Sequence, residues 1–166
     1  MTENGIGLDT FAALDDAAAV ELLLTCCSSP QWARRVAARR PYPNAEALLA
    51  AADEELAALP DSEIDRALDG HPRIGDRPDN AASAREQAGM AEADDRVRAA
   101  IAEGNRAYEA KFGHVYLVRA SGRSPAELLE ILTGRLGNDA ATERRIVREQ
   151  LAEINRIRLR AMVIDA

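Results

Sequence analysis

The stretch that decides the fold is AATERRIVREQLAEINRIRLRAMV, residues 140–163. Its apolar residues recur at three- and four-residue intervals, at Val147, Leu151, Ile154, Ile157 and Ala161. This spacing is that of one face of an α-helix, and charged side chains collect on another face, at Glu149, Glu153, Arg156 and Arg160. The stretch predicts a long amphipathic helix from about Ala140 to Val163.

Arg158 departs from this division between faces. It follows Ile154 by four residues and precedes Ala161 by three, so we expect it to point with the apolar stripe. Its stem can lie along the core while the guanidinium reaches water or a buried acid. Alternatively, its planar fork binds a carboxylate or a ureido oxygen of a ligand. The residues alone leave both interpretations open.

The composition of the whole chain also favours helices. Its 166 residues are 47% hydrophobic and only 4% aromatic, so Ala, Leu, Ile and Val must fill the interior. At this length one core is expected rather than two independent domains. We predict an all-α fold: a single compact multi-helix domain over residues 1–166, with one short extended segment near residues 115–119.

Capping signals divide the remaining chain into helices. Ser29-Pro30 and Ser124-Pro125 each combine a capping side chain with proline at the first helical position, and Glu127 completes a capping box at the second. Asn44 is a third candidate cap. The predicted helices cover residues 15–27, 31–38, 44–59, 60–70, 94–111 and 124–136, with a short one from Ser83 and an arm over residues 1–14.

Charge and cysteine usage exclude several classes of function. The net charge of −7 and the pI near 4.9 argue against nucleic acid as a partner, because nucleic-acid binders usually carry a basic surface. Cys26 and Cys27 are adjacent, which makes a mutual disulfide unlikely by geometry and favours reduced thiols. No apolar run approaches the roughly 20 residues that span a bilayer. We expect a soluble, unprocessed, cytoplasmic protein with no membrane partner.

The segment Gly70-His71-Pro72-Arg73-Ile74-Gly75-Asp76 carries the clearest signal for chemistry. A histidine suits proton transfer near neutral pH because its unperturbed pKa lies in that range. Pro72 stiffens the backbone after the imidazole and helps to hold it in place. The alternative is a structural histidine whose charge complements the end of the preceding helix.

Ser83, Glu86 and Gln87 follow at positions i, i+3 and i+4, which would place a hydroxyl, a carboxylate and an amide on one helix face. The same Ser-x-x-Glu pattern is also a capping box that needs no ligand. Arg123 precedes a helix N-terminus that could favour an anion, but we favour the alternative of an exposed turn arginine.

A metal site is a competing idea, with His71, His114, Asp76 and Asp79 as conceivable ligands. Their spacing fits none of the specific metal motifs, so we predict no metal. The chain also lacks a phosphate-binding glycine motif and a Gly-x-Ser-x-Gly elbow, which argues against nucleotide cofactors and hydrolase triads.

Several blocks together resemble a known family. In order along the chain they are Arg40-Pro41-Tyr42, His71-Pro72-Arg73-Ile74-Gly75, Ser83-x-x-Glu86-Gln87, Lys111-Phe112-Gly113, Gly122-Arg123-Ser124 and Arg158-Leu159. They are similar to the signature blocks of 2-oxo-4-hydroxy-4-carboxy-5-ureidoimidazoline (OHCU) decarboxylase. One departure is His114-Val115, where the family commonly has Phe-Pro.

The resemblance implies an all-helical enzyme that converts OHCU to (S)-allantoin in urate breakdown, without metal or organic cofactor. It implies His71 as the catalytic proton donor, with Glu86 as a second catalytic residue. It also implies a possible homodimer. The implied substrate-binding residues are Pro72, Ser83, Glu86, Gln87, Arg158 and the main chain of Tyr116, Leu117, Val118, Arg119 and Ala120. The alternative function is a non-catalytic helical module that binds a small anion or a protein helix.

Overall fold

The computed structural model describes residues 5–69, 71, 73–75 and 81–164, the last range without the side chains of residues 81–83 and 164. The helices are α1 Leu8–Ala13, α2 Asp16–Leu24, α3 Pro30–Ala38, α4 Ala45–Ala57, α5 Asp61–Leu68, α6 Ala81–Glu86, α7 Asp95–Phe112, α8 Pro125–Arg135 and α9 Ala140–Met162. A 3-10 helix covers Ala88–Glu92, and the strands are β1 Ile6–Gly7 and β2 Val163–Ile164. The all-α prediction is confirmed.

The chain divides into two compact units. The first unit comprises Met1–Gly70 with Ala152–Ala166, and the second comprises His71–Leu151. The prediction of a single domain over residues 1–166 stays a prediction. No helix within the described ranges has the length and apolarity that crossing a membrane requires.

The predicted caps account for how the helices begin. Ser29 and Asn44 accept hydrogen bonds from the main-chain N–H groups of Trp32 and Ala47, and each satisfies one otherwise unpaired donor. Ser124 and Glu127 form the complete capping box at the start of α8. Sequence and local structure therefore agree at these three helix starts.

The first unit is organised around Trp32 of α3. The indole is fully buried, and its Nε1–H donates to the carbonyl of Ala52 in α4 at 3.0 Å. Helix α3 packs against both α2 and α4, and its small residues Ala33 and Ala37 are buried. Strands β1 and β2 pair in parallel, which joins the two ends of this unit.

The second unit is built on the packing of α7 against α8. Gly104 of α7 permits a close approach, because an added Cβ there would lie 2.6 Å from Cδ2 of Leu132. The core below this contact is apolar and aromatic; its larger members are Met90, Ile101, Tyr108, Tyr116, Leu128 and Leu132.

A polar network lies inside the same unit, and we call Tyr108, Arg135, Asn138 and Glu143 the Arg135 network. Arg135 Nε donates to Glu143 at 2.7 Å, and Asn138 donates to the other carboxylate oxygen at 3.0 Å. The Tyr108 hydroxyl donates to Glu143 at 2.5 Å. Both charges are buried, and these hydrogen bonds satisfy the ion pair.

The structure differs from the sequence predictions at several boundaries. Residues 6–13 form a strand and a helix where an arm was expected, and α2 ends at Leu24 rather than Cys27. The predicted glycine cap at Gly70 lies outside the described residues. Ile157 and Ala161 are exposed, so their assignment to the apolar stripe of α9 is wrong.

Candidate functional site

His71 is half-buried in the second unit, and Arg73, Ile74 and Gly75, which follow it closely in the chain, are each held by contacts with other elements. Arg73 forms a two-point ion pair with Glu109 of α7, with Nε–Oε2 and Nη2–Oε1 distances of 2.5 and 2.9 Å. The Arg73 guanidinium holds the pKa of the Glu109 carboxyl below its usual range. This pair fixes the loop two residues from the imidazole.

Three further contacts hold the same loop. The Ile74 side chain is buried in the core, and its carbonyl accepts from Asn105 of α7 at 3.0 Å. Gly75 adopts a φ of 94°, which favours glycine, and its N–H donates to Gln87 at 2.9 Å. The His71 backbone thus leads into a segment that is positioned before any ligand arrives.

Gln87 is one of the predicted substrate-binding residues, and its visible contacts are with this loop. Its Oε1 accepts from Gly75, and its Nε2 donates to the carbonyl of Arg73 at 3.4 Å. The amide retains one further N–H. Gln87 therefore positions the histidine loop, and its contact with substrate stays a prediction.

The short helix before Gln87 differs from its predicted form. Because α6 begins at Ala81, Ser83 falls inside its first turn, and the alternative that Ser83 caps this helix is wrong. Ser83 and Glu86 belong to α6, whereas Gln87 follows the helix end and leads into the 3-10 helix. Contrary to the expectation, the three residues therefore do not share one helix. Glu86 is half-buried at the end of α6. Pro72 and the Ser83 side chain lie outside the described residues.

The predicted extended segment is present between α7 and α8. Tyr116, Leu117, Val118 and Ala120 are buried, and Arg119 is half-buried. Two side chains hold its main chain: Arg135 donates to the carbonyl of Leu117 at 2.6 Å, and Gln150 accepts from the N–H of Arg119 at 2.8 Å. The Arg119 N–H, one of the predicted substrate donors, is therefore already engaged within the protein.

Arg158 lies in the first unit and is buried, as its position on α9 predicts. Its Nη1 donates to the carbonyl of Cys26 at 3.1 Å, just after α2. Asn155, three residues earlier on the same helix, is also buried. We call Cys26, Cys27, Asn155 and Arg158 the Asn155 cluster.

The pKa of the Cys27 thiol reflects its surroundings in this cluster. Burial raises the pKa of the thiol, while the Ser29 main chain, the Asn155 amide and the Arg158 guanidinium oppose that rise. A neutral buried thiol is a poor nucleophile. We therefore assign Cys27 no role in covalent chemistry.

Three residues of these sites carried little signal in the sequence. Asn105 and Glu109 lie four residues apart on α7 and both hold the histidine loop, but their spacing is also that of ordinary helix-surface residues. Asn155 was missed because the spacing of apolar residues placed Ile157 on the buried face of α9. The interval of three residues between Asn155 and Arg158 was the signal that could have found it.

Two other features offer no competing site. A groove of about 570 Å³ lies along α2 and α3, lined mainly by apolar side chains such as Val20 and Leu24, and it contains none of the predicted site residues. Within the described ranges, no three His, Cys, Asp or Glu side chains come together as a metal ion would require. Asp76 and Asp79 lie outside those ranges.

The described residues define an all-α protein with a half-buried histidine on an anchored loop and a buried arginine on its last helix. Residues 12–160 match the family model of OHCU decarboxylase, and the chain belongs to this family. It is 28% identical over 148 residues to the uric acid degradation bifunctional protein TTL of Arabidopsis thaliana. That match covers 84% of this chain and 46% of the relative, so the chain spans about half of the relative's length.

Two solved structures share the fold. A crystal structure of OHCU decarboxylase in the presence of (S)-allantoin superimposes with a TM-score of 0.74 at 24% identity, covering 82% of this chain and 93% of the other. A crystal structure of (S)-allantoin synthase gives a TM-score of 0.72 at 16% identity, covering 95% of this chain and 54% of the other. The expected family fold is confirmed.

Proposed function

We propose that this chain catalyses the decarboxylation of OHCU to (S)-allantoin in urate breakdown, with His71 as the proton donor and without a cofactor. The family match over residues 12–160 supports the reaction class. The observation that carries the assignment of His71 is its place on a loop anchored by Arg73, Ile74 and Gly75.

The chemistry of the substrate explains why no electron-accepting cofactor is needed. When the bond between C4 and the carboxylate breaks, its electron pair forms a double bond to C5, and the adjacent C=N nitrogen accepts the displaced pair and a proton. The C4 hydroxyl then loses its proton as the carbonyl forms, and C5 gains one. One carbon dioxide leaves and one proton is consumed overall, so the substrate itself is the electron sink.

The enzyme must then supply orientation and a proton on one face. We assign to His71 the transfer to C5, because an anchored imidazole on one side of the ring makes one enantiomer. Glu86 and Gln87 bind N–H groups of the substrate, and Arg158 binds its oxygen atoms through the guanidinium fork. Pro72, Ser83 and the main chain of residues 116–120, apart from the engaged Arg119 N–H, complete the proposed contacts.

The first experiment generates OHCU in situ and follows both its disappearance and the optical activity of the allantoin. We expect metal-stripped wild-type protein to accelerate the decay and give (S)-allantoin. His71→Asn should lower the rate about 10²–10⁴-fold, since this is the usual contribution of a positioned acid or base. In D₂O the wild-type product should carry deuterium at C5.

His114→Asn is the matched control. The His114 ring packs against Tyr108 and Phe112 and has no part in the proposed chemistry. Normal stereoselective turnover by His71→Asn would refute its role as proton donor. A wild-type protein that does not accelerate OHCU decay would instead favour a binding module, and loss of activity on chelation would favour a metal enzyme.

We also propose a cytoplasmic location and a homodimer. Cys26 and Cys27 form no disulfide within the described part of the chain, which fits a reducing compartment. Sedimentation of the purified chain at enzyme concentration measures the oligomeric state, and a monomer there would contradict the dimer.

A further inference from the structure

One buried amide in the first unit is left unused by the fold. Asn155 is 2% exposed, and neither its amide nitrogen nor its amide oxygen forms a hydrogen bond of normal geometry among the described residues; its amide contact is with the Cys27 thiol, which is a weak donor. Burial of an unpaired amide is unfavourable, so each such group in a natural protein calls for an explanation.

A second buried asparagine shows the contrast. Asn105 donates from its Nδ2 to the carbonyl of Ile74, and this bond holds the histidine loop. Its amide therefore has a structural task even though its oxygen is unpaired. Asn155 has no comparable task within the described part of the chain.

The surroundings of Asn155 indicate what it could bind. Ile154, Asn155, Arg158 and Leu159 form the buried face of this part of α9, while Arg156 and Ile157 are exposed. Asn155 and Arg158 lie three residues apart on α9, so the two side chains are neighbours on one side of the helix. An amide and a guanidinium are thus presented together on an otherwise apolar face.

We propose that the Asn155 amide binds the ureido group of the substrate beside Arg158. A ureido group offers a carbonyl acceptor and N–H donors. A primary amide can pair with both, because its NH₂ group donates to the carbonyl and its oxygen accepts from an N–H. Arg158 can only donate hydrogen bonds, and it can do so to the ureido carbonyl. The Asn155 oxygen beside it can accept a hydrogen bond from a ureido N–H.

The inference rests on the proposed function, and Asn155→Leu tests it separately. Leucine has the same number of side-chain heavy atoms, branched at the same carbon, and it removes both polar atoms. If the amide serves the ligand, KM for OHCU should rise about 10-fold or more with little change in kcat, because ground state and transition state lose the same contact. The melting temperature should stay the same or rise, since an unpaired buried amide has been removed.

A structural role predicts the opposite combination. A lower melting temperature with unchanged KM would overturn the inference. A variant in which neither the melting temperature nor KM changes would also overturn it. Asn155→Ala serves as the second variant if leucine prevents folding, with the same expected rise in KM. Ile157→Ala is the matched control, because it shortens an exposed side chain two residues further along α9 and should leave KM unchanged.

Product binding identifies the group that Asn155 recognises. Calorimetry should show that Asn155→Leu weakens (S)-allantoin about 10-fold but leaves hydantoin, which has the ring without the ureido group, nearly unaffected. Equal weakening of both ligands would refute recognition of the ureido group. A wild-type protein that neither decarboxylates OHCU nor binds allantoin would refute the proposed function, whereas an active wild type with an unaltered Asn155→Leu variant refutes this inference alone.

Discussion

The Arg135 network and the Asn155 cluster are both buried, but they are built in opposite ways. In the Arg135 network, the guanidinium, the Glu143 carboxylate and the Tyr108 hydroxyl all bond to one another, and Arg135 also bonds to the Leu117 carbonyl. In the Asn155 cluster, the Asn155 amide makes no hydrogen bond of normal geometry within the described residues. The two groups are therefore similarly buried but differ greatly in how many of their possible hydrogen bonds are formed.

This difference separates a structural task from a ligand-binding one. A saturated ion pair holds its own neighbours and loses stability when one partner is removed. A buried amide without hydrogen bonds lowers the stability of the fold and is available to a ligand. The comparison predicts that substitutions in the Arg135 network lower stability, while substitutions of Asn155 and Arg158 weaken binding.

The largest expected effect is that of Glu143→Ala. It leaves the buried Arg135 without its counter-charge, and we expect the free energy of unfolding to fall by about 3–5 kcal/mol. Urea denaturation measures this loss. The double variant Arg135→Met with Glu143→Leu should recover much of it, because no buried charge remains. Glu103→Ala, in an exposed ion pair with Arg106, is the control and should leave stability nearly unchanged.

The same carboxylate makes the stability depend on pH. Burial raises the pKa of Glu143, but the hydrogen bonds from Arg135, Asn138 and Tyr108 outweigh it and hold the pKa below its ordinary value of 4.5. Its stabilisation is therefore full above the unfolded-state pKa and is lost as pH falls through the lowered folded-state pKa. The stability difference between wild type and Glu143→Gln should be constant above about pH 6 and shrink in acid. A difference that grows in acid would contradict this assignment.

Arg158→Ala comes next in size and tests the other side of the comparison. We expect KM for OHCU to rise roughly 10–100-fold, since hydrogen bonds that involve a charged group are the stronger ones, while kcat changes less. Arg158→Lys should restore little, because an ammonium lacks the planar fork. Steady-state kinetics with a melting curve for each variant decides the matter. A large loss of stability with unchanged KM would return Arg158 to a structural role.

The smallest expected effect belongs to Tyr108→Phe. It removes one hydrogen bond to Glu143 and leaves the ring packed against Phe112 and Tyr116. We expect a loss of about 1.5 kcal/mol in unfolding free energy, the low end for a bond to a charged group because Glu143 keeps its bonds to Arg135 and Asn138, with unchanged KM and kcat. A change in KM as large as that of Arg158→Ala would show that the Arg135 network takes part in binding.

Local chemistry made most of the fold predictable. The caps at Ser29, Asn44 and Ser124 act within three residues of their partners, so the sequence contains both halves of each interaction. The family blocks likewise lie in short runs of the chain and pointed to His71, Glu86, Gln87 and Arg158. Such short-range patterns are what a single sequence displays most directly.

The tertiary structure decided what depends on residues far apart in the chain. Spacing alone put Ile157 on the buried face of α9, whereas packing buries Asn155 and exposes Ile157. The anchoring of Arg73 by Glu109 joins residues 36 positions apart, and no local periodicity encodes it. Amino-acid sequence set the helices because their bonds are local, and only the packed chain determined which polar groups were paired and which were left for a ligand.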